Sequence, residues 1–179
     1  LAAARKEKVQ DRQALAEAAG LKPVIVDIEN LASRLAVERL ISRLPGKGQD
    51  AVVALFELGA NNMSMQAMRN GELLYERDQV FGGSQLTQLI VRQYGFSFDE
   101  AEQKKRSNDL PDDFALTVLR PFLDSTAQEV GRALQFFFTS TPFNKVDYIF
   151  LAGGGASMPG LSTVVTEHTG FACNVSNPF

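Results

Sequence analysis

Three short glycine-rich turns are the parts of this 179-residue sequence best suited to bind a ligand. They read ELGANN at 57–62, GG at 82–83 and GGGASM at 153–158. Glycine lets the backbone approach a ligand closely, and N–H groups left free by turns and helix starts form concavities that attract anions. Converging turns of this kind could hold the phosphates and base of a nucleotide. The candidate binding residues are Glu57, Gly59, Ala60, Asn61, Asn62, Gly82, Gly83, Gly153, Gly154, Gly155 and Met158.

Each of these turns also has an ordinary explanation, because glycine is common wherever a chain reverses direction. Taken alone, Gly59 and the pair Gly82-Gly83 are ordinary turn residues. The triple glycine at 153–155 differs, since a buried strand that ends in three glycines and continues into MPGL is unusual as a turn alone. We therefore expect ligand contact first at the triple glycine.

The ionisable residues outside these turns suggest little chemistry of their own. Glu102 and Lys105 are three residues apart on a predicted helix. This is the spacing of a surface ion pair, which stabilises a helix by about 0.3 kcal/mol. Loss of Lys105 from such an exposed pair would leave stability nearly unchanged. His168 and Cys173, the only histidine and the only cysteine, are too few for a zinc site and are interpreted as structural, as is the aromatic run 136–138.

Composition excludes several classes of protein. Hydrophobic residues make up 45% and charged residues 22% of the chain, as in soluble globular proteins. The net charge of −3 comes from 18 basic and 21 acidic residues that are interspersed, so no basic face indicates nucleic acid as a partner. No run approaches the roughly 20 apolar residues that span a bilayer. The opening run LAAARKEKV is typical of the middle of an element, which indicates that a preceding part of the protein is absent.

Hydrophobic periodicity and turn signals predict alternating strands and helices that would position the three turns. Asn70-Gly71 is a strong signal for a two-residue hairpin, because both central positions need positive φ. The glycine-rich turns each lie at the end of a predicted strand. The predicted strands are 21–28, 51–58, 63–69, 72–80 and 146–152, with another around Cys173. The predicted helices are 10–19, 30–44, 84–94, 97–106, 112–139, with Pro121 at a kink or a second start, and 161–169.

Taken in order, these features resemble the actin, FtsA and heat-shock-chaperone ATPase superfamily, and within it the PilM family of type IV pilus assembly proteins. The resemblance covers essentially the whole chain and implies an α/β actin-like, ribonuclease H-like fold of two lobes that is incomplete at both ends. Residues 1–48 would complete the first lobe, and residues 49–179 would form most of the second, with a helical subdomain at about 96–144. The sequence stretches that carry the resemblance are YERDQVFGGSQLTQLI, FDEAEQKKR, LPDDFALTVLRPFLDSTAQEVGRALQFFF, VDYIFLAGG and SNPF.

The resemblance implies ATP or ADP with Mg²⁺ bound between the lobes. On the phosphate side, Glu57 would hold magnesium through water, and 59–62 would form a phosphate-contacting turn. Gly82 and Gly83 would begin a helix near the phosphates. Glu29 matches the connecting segment that faces the γ-phosphate, so Glu29 and Glu57 are the candidate catalytic residues.

On the adenosine side, the resemblance matches Glu102 and Lys105 to side chains that contact the ribose and base. The turn of Gly153, Gly154, Gly155 and Met158 would cover the adenosine. Family members usually carry aspartate where this chain has Glu57, and threonine near 62–63, where this chain has Asn and Met. These departures predict a nucleotide that serves as a structural ligand and is hydrolysed slowly.

The implied function is that of a cytoplasmic adaptor in a Gram-negative bacterium. It would bind the N-terminal peptide of PilN through a groove with one wall at Leu1–Val9, and link the inner-membrane complex to the motor ATPase PilB during twitching motility. It would contact the membrane only through its partners. The sequence does not decide whether it associates with itself. Two alternatives remain, namely an FtsA-like filament-forming scaffold and a sugar or acetate kinase of the same superfamily, although no residue marks a catalytic base or substrate pocket.

Overall fold

The computed structural model describes residues 3–176, which divide between Leu35 and Ala36 into two compact units. Two predictions extend outside these residues, namely the start of the peptide groove at Leu1 and Ala2, and the end of the SNPF motif at 177–179. The lobe boundary expected near residue 48 stays a prediction.

The first unit contains helix α1 (Lys6–Ala18) and the start of helix α2 (Glu29–Ile41). None of the residues of α1 is buried. The strand predicted at 21–28 is wrong, because the described residues place this segment in no strand. Val24 and Ile25 are each 81% exposed. A β-branched run becomes a buried strand only when another strand pairs with it, and local sequence does not supply that pairing.

The second unit is built on a five-stranded sheet with strand order β3-β2-β1-β4-β5. Strands β1, β2 and β3 are antiparallel neighbours, whereas β4 runs parallel to β1 and to β5. The Asn70-Gly71 hairpin is confirmed, with φ values of 51° and 78° at its two central residues. The strands are β1 (Val53–Leu58), β2 (Met63–Arg69), β3 (Glu72–Gln79), β4 (Tyr148–Ala152) and β5 (Cys173–Val175).

Four further helices belong to the second unit: α3 (Gly83–Tyr94), α4 (Phe98–Ser107), α5 (Arg120–Ser140) and α6 (Leu161–Thr169). Helix α4 begins as predicted at Ser97, whose hydroxyl accepts a hydrogen bond from the Glu100 N–H at 3.2 Å. The helix predicted at 112–139 contains a π-helical turn, Ala115–Leu119, directly before α5. Pro121 lies directly after this π-helical turn, in which the Arg120 N–H bonds five residues back to the Ala115 carbonyl, so the change in helical pattern coincides with the residue that has no N–H to donate.

The main core lies between one face of the sheet and helices α3, α5 and α6. Among its fully buried side chains are Phe56 of β1, Ile90 of α3 and Phe137 of α5. Phe136 is 40% exposed and lies against the Arg77 guanidinium at 3.8 Å, so the aromatic run 136–138 is only partly core. In the described residues, no helix is long and apolar enough to cross a membrane.

A smaller cluster covers the opposite face of the sheet, where Val37 of α2 packs with Val53, Leu55 and Phe150. The two clusters hold β1 and β4 in parallel register, with Glu57 opposite Ala152. The carboxyl ends of these two strands therefore lie side by side. This edge of a parallel pair is where ligands bind in open α/β sheets.

Candidate functional site

The turn after β1 contacts the start of α3 through backbone hydrogen bonds. The Gly83 N–H donates to the Gly59 carbonyl at 3.0 Å, and the Ser84 N–H donates to the Ala60 carbonyl at 2.8 Å. Two of the first N–H groups of α3 are therefore used inside the protein rather than offered to an anion. The glycine pair 82–83 positions the β1 turn, and a direct role at the phosphates stays a prediction.

Gly82 is required by the closeness of this contact. A Cβ at Gly82 would lie 2.5 Å from the Ala60 carbonyl oxygen and 2.6 Å from the Gly59 carbonyl oxygen. Its φ of 177° is extended backbone that any residue adopts, so space and not conformation demands glycine here. The signal that sequence analysis associated with a ligand therefore has a structural explanation at this position.

The triple-glycine turn, Gly153–Gly155, packs against the end of β1 from the other side. Gly153 has φ of 81°, and its Cβ would lie 2.6 Å from the Leu58 carbonyl oxygen. A Cβ at Gly155 would lie 2.8 Å from the Leu58 Cβ, whereas a Cβ at Gly154 would meet nothing within 4 Å. Gly153 and Gly155 are thus needed for packing, while Gly154 is exposed and faces open space.

Glu57 lies one residue before the end of β1, between Ser64 of β2 and Ala152 of β4. It is partly buried, and strand alternation places its side chain on the sheet face that carries Val53 and Leu55. Among residues 3–176, no group of three or more His, Cys, Asp or Glu side chains could hold a metal ion. A magnesium ion here would take most of its ligands from nucleotide phosphates and water, an arrangement that a single carboxylate fits.

Glu102 and Lys105 do not form the exposed pair that their spacing suggested. Their side chains are only 25% and 26% exposed, and the Lys105 ammonium donates to the Glu102 carboxylate and, at 2.6 Å, to the Thr87 hydroxyl. Thr87 is fully buried in α3, one helical turn after Gly83. The pair therefore joins α4 to α3, and the expectation that it is an ordinary surface ion pair is wrong.

The pKa of the Glu102 carboxyl is shifted by its contacts with Lys105 and Thr87. Partial burial raises the pKa of Glu102, but hydrogen bonds from Lys105 and Thr87 and the charge of Lys105 outweigh it, so the pKa lies below its usual value. The carboxylate thus stabilises the fold above its unfolded pKa of about 4.3, and that stabilisation is lost as pH falls through the lower folded pKa. At neutral pH, Glu102 is a charged acceptor held in place from two sides.

We expect Lys105→Ala to lower the free energy of unfolding by about 1 kcal/mol at pH 7, because it leaves a partly buried carboxylate without its ammonium partner. Urea unfolding over a series of pH values from 7 downward would measure this difference, which should shrink as the pH falls through the lowered pKa of Glu102 and its carboxylate is protonated. Arg106→Ala is the matched control, since the Arg106 side chain is 83% exposed and lies 3.8 Å from the same carboxylate. Equal effects of the two variants would return the Lys105 pair to an ordinary surface interaction.

The structure brings most of the candidate residues to one edge of the sheet. The β1 turn of Gly59–Asn62 contacts the glycine pair on one side, and Leu58 contacts the triple-glycine turn on the other. Glu102 and Lys105 are linked to this edge through Thr87, whose hydroxyl lies 3.2 Å from the Gly83 carbonyl. Glu29 opens α2 in the first unit, so its role beside a γ-phosphate stays a prediction.

Two residues of this arrangement were not among those predicted from the sequence. Leu58 supplies the backbone that Gly153 and Gly155 approach, and Thr87 supplies the hydroxyl beneath Glu102. A signal for Thr87 was present, because it is a polar residue beside Leu86 and three residues before Ile90 on the buried face of α3. Burial raises the pKa of the Cys173 thiol to about 12 and keeps it protonated at neutral pH.

Comparisons with known proteins agree on the fold. A family model described as type IV pilus assembly protein PilM matches residues 1–179. The solved structure of a PilM-PilN type IV pilus biogenesis complex is similar with a TM-score of 0.76 and 27% identity, over 98% of this chain and 49% of that one. The chain thus spans about half the length of this relative.

Two other solved structures support the fold alone, because their identities are low. Ethanolamine utilization protein EutJ from Carboxydothermus hydrogenoformans has a TM-score of 0.72 and 19% identity, over 96% of this chain and 57% of that one. MreB5 of Spiroplasma citri bound to ADP has a TM-score of 0.63 and 12% identity, over 99% of this chain and 62% of that one. Together with the family match, these likenesses confirm the predicted α/β actin-like fold.

Proposed function

The chain belongs to the family of the type IV pilus assembly protein PilM, and from this membership we propose that it is part of a nucleotide-binding adaptor of type IV pilus assembly. The observation that carries the nucleotide part is the convergence of the β1 turn, the glycine pair and the triple-glycine turn at one exposed edge of the sheet. At such an edge, glycine lets a flat base approach the backbone closely.

The proposed ligand is ATP or ADP, with the adenosine against the triple-glycine turn. Gly154 supports this placement, because it is exposed and a Cβ there would extend into open space rather than into protein. Met158 follows the turn, with its terminal methyl 3.6 Å from the position of a Gly155 Cβ, and would border the base. Glu102 and Lys105 would contact the ribose, and Glu57 would hold Mg²⁺ through water near the phosphates.

We further propose that the nucleotide acts as a structural ligand that is hydrolysed slowly, if at all. Phosphoryl transfer depends on positioning and charge stabilisation, so a displacement of a water or metal by about 1 Å can reduce its rate roughly a hundredfold. Glu57 reaches one methylene farther than aspartate, and Asn62 and Met63 provide no hydroxyl next to the β1 turn. Binding is affected less, because glycine-turn contacts do not depend on that geometry.

The proposed partner is the short N-terminal peptide of PilN. One solved relative at 27% identity is a PilM-PilN complex, and this likeness supports the same class of partner. The proposed groove wall at Leu1–Val9 lies partly outside the described residues, but Lys6–Val9 begin α1, which has no buried residue. Through PilN the protein would be held at the inner membrane of a Gram-negative bacterium and linked to the motor PilB, with self-association as a further property.

We expect the PilN peptide to bind the full-length natural protein more tightly when ATP is present. A nucleotide that prefers one arrangement of the protein shifts the population toward it by its differential affinity, with no need for hydrolysis. Calorimetric titration of the peptide with and without ATP would measure the difference. A chain restricted to residues 1–179 is the matched comparison and should bind the peptide weakly or not at all.

Two results would contradict parts of this proposal. Identical peptide affinity with and without ATP would show that nucleotide and partner are not coupled. Tight peptide binding by residues 1–179 alone would place the groove elsewhere in the protein.

A further inference from the structure

Thr87 is a buried hydroxyl that joins three groups of the candidate site. It is 0% exposed, and its Oγ1 lies 3.2 Å from the Gly83 carbonyl oxygen and 2.6 Å from the Lys105 Nζ. The same oxygen is hydrogen-bonded to Oε1 of Glu102. Polar side chains are seldom buried completely unless their hydrogen bonds are satisfied, so this position constrains both partners on α4.

The Thr87 hydroxyl and the Lys105 ammonium bond to the same oxygen of the Glu102 carboxylate. A hydroxyl carries one proton, and an ionised carboxylate is a stronger acceptor than a backbone carbonyl, so Thr87 donates to Glu102 and accepts from Lys105. Oε1 of Glu102 therefore receives hydrogen bonds from both Thr87 and Lys105. Oε2 has only the exposed Arg106 guanidinium, at 3.8 Å, as a cationic neighbour in the described residues. One carboxylate oxygen is held inward, and the other is left for a ligand.

We propose that Thr87 is a positioning residue that holds the Glu102 carboxylate so that its outer oxygen accepts a hydroxyl group of the nucleotide ribose. This inference rests on the nucleotide site proposed above and deepens it, because it assigns the selectivity for the ribose hydroxyls to a residue that does not touch the ligand. The terminal torsion of glutamate is broad and two-fold, so rotamer preference alone does not orient the carboxylate.

The Thr87→Val variant tests this role, because valine has nearly the shape of threonine without the hydroxyl. Glu102 would lose the buried donor that fixes its orientation, and a hydrogen bond to a charged group typically accounts for about a tenfold change in affinity. We expect ATP to bind the full-length natural protein roughly tenfold more weakly after this substitution. The affinity of an ATP analogue that lacks the recognised ribose hydroxyl should fall much less, since this analogue makes no hydrogen bond to the outer oxygen of Glu102.

The experiment is a set of calorimetric titrations with ATP, 2′-deoxy-ATP and 3′-deoxy-ATP. The unmodified protein should prefer ATP over at least one deoxy analogue by roughly tenfold. Thr87→Val should remove this preference, and Thr87→Ser, which keeps the hydroxyl, should restore it. Thr126→Val is the matched control, because Thr126 is also 0% exposed but its hydroxyl donates to the Phe122 carbonyl of its own helix, at 2.8 Å.

The outcomes separate this inference from the proposed function. If the unmodified protein binds ATP but does not distinguish it from either deoxy analogue, the inference fails and the nucleotide site stands. Preserved discrimination in Thr87→Val, or equal loss of it in Thr126→Val, would likewise reduce Thr87 to a packing role. If the unmodified protein binds no ATP, the proposed function fails and this inference with it.

Discussion

Replacement of Gly154 by valine is expected to weaken nucleotide binding by roughly a hundredfold while the fold stays intact. A Cβ at Gly154 meets no protein atom within 4 Å, so the added side chain would extend into the space assigned to the adenosine. Overpacking by a few methyl groups costs up to about 3 kcal/mol, which corresponds to a loss of affinity of roughly a hundredfold. Calorimetric titration of the full-length protein with ATP would measure the loss, and thermal unfolding would verify the fold.

Gly153→Val provides the contrasting control for this prediction. Gly153 has φ of 81°, and a Cβ there would lie 2.6 Å from the Leu58 carbonyl oxygen, so valine should destabilise the fold itself. The two neighbouring glycines should therefore separate binding from folding. Unchanged ATP affinity in a folded Gly154→Val protein would remove the triple-glycine turn from the nucleotide site.

The variant Glu57→Asp is expected to hydrolyse ATP faster than the natural protein, by up to roughly a hundredfold if the longer side chain misplaces the metal or water by about 1 Å. Phosphate release by the full-length protein, measured with and without the PilN peptide, would test this. Glu57→Gln is the matched control, because it keeps the length of the side chain and removes the charge. It should bind nucleotide and remain as slow as the natural protein.

A turnover of several molecules per second by the natural protein would contradict the proposal that its nucleotide is a structural ligand. Equal rates in Glu57→Asp and the natural protein would instead show that Glu57 does not limit hydrolysis. A rise confined to the aspartate variant is the expected result. Because Glu57 is partly buried between Ser64 and Ala152, thermal unfolding should accompany each measurement.

Much of the fold could be predicted from sequence because its signals are local. Asn70-Gly71 indicated a hairpin since only a few residue types accept positive φ at both positions, and the structure confirms it. Helix ends were equally local, as the Ser97 cap and the left-handed Gly95 and Gly170 show. The order of these elements, together with the sequence stretches that resemble the PilM family, implied the actin-like fold, which the comparisons confirm.

Other features depended on contacts between residues far apart in the chain. The segment 21–28 has the composition of a buried strand, yet it is exposed and unpaired among the described residues, because pairing needs a neighbour that local sequence does not specify. The ion pair of Glu102 and Lys105 was placed on the surface by its spacing. Its partial burial arises because α3 brings Thr87 beneath it, eighteen residues before Lys105.

The glycines of the three turns show most clearly which features the sequence determines and which depend on tertiary packing. Their positions at strand ends were visible in the sequence, and so was the chemistry that glycine permits. Only the packing of β1 against its two neighbouring turns distinguishes Gly82, Gly153 and Gly155, whose Cβ atoms would collide with backbone or with Leu58, from Gly154, which faces open space. The residue type, glycine, determines that another group can come close to the backbone. The atoms that surround the glycine after folding determine whether that group is another part of the protein or a ligand.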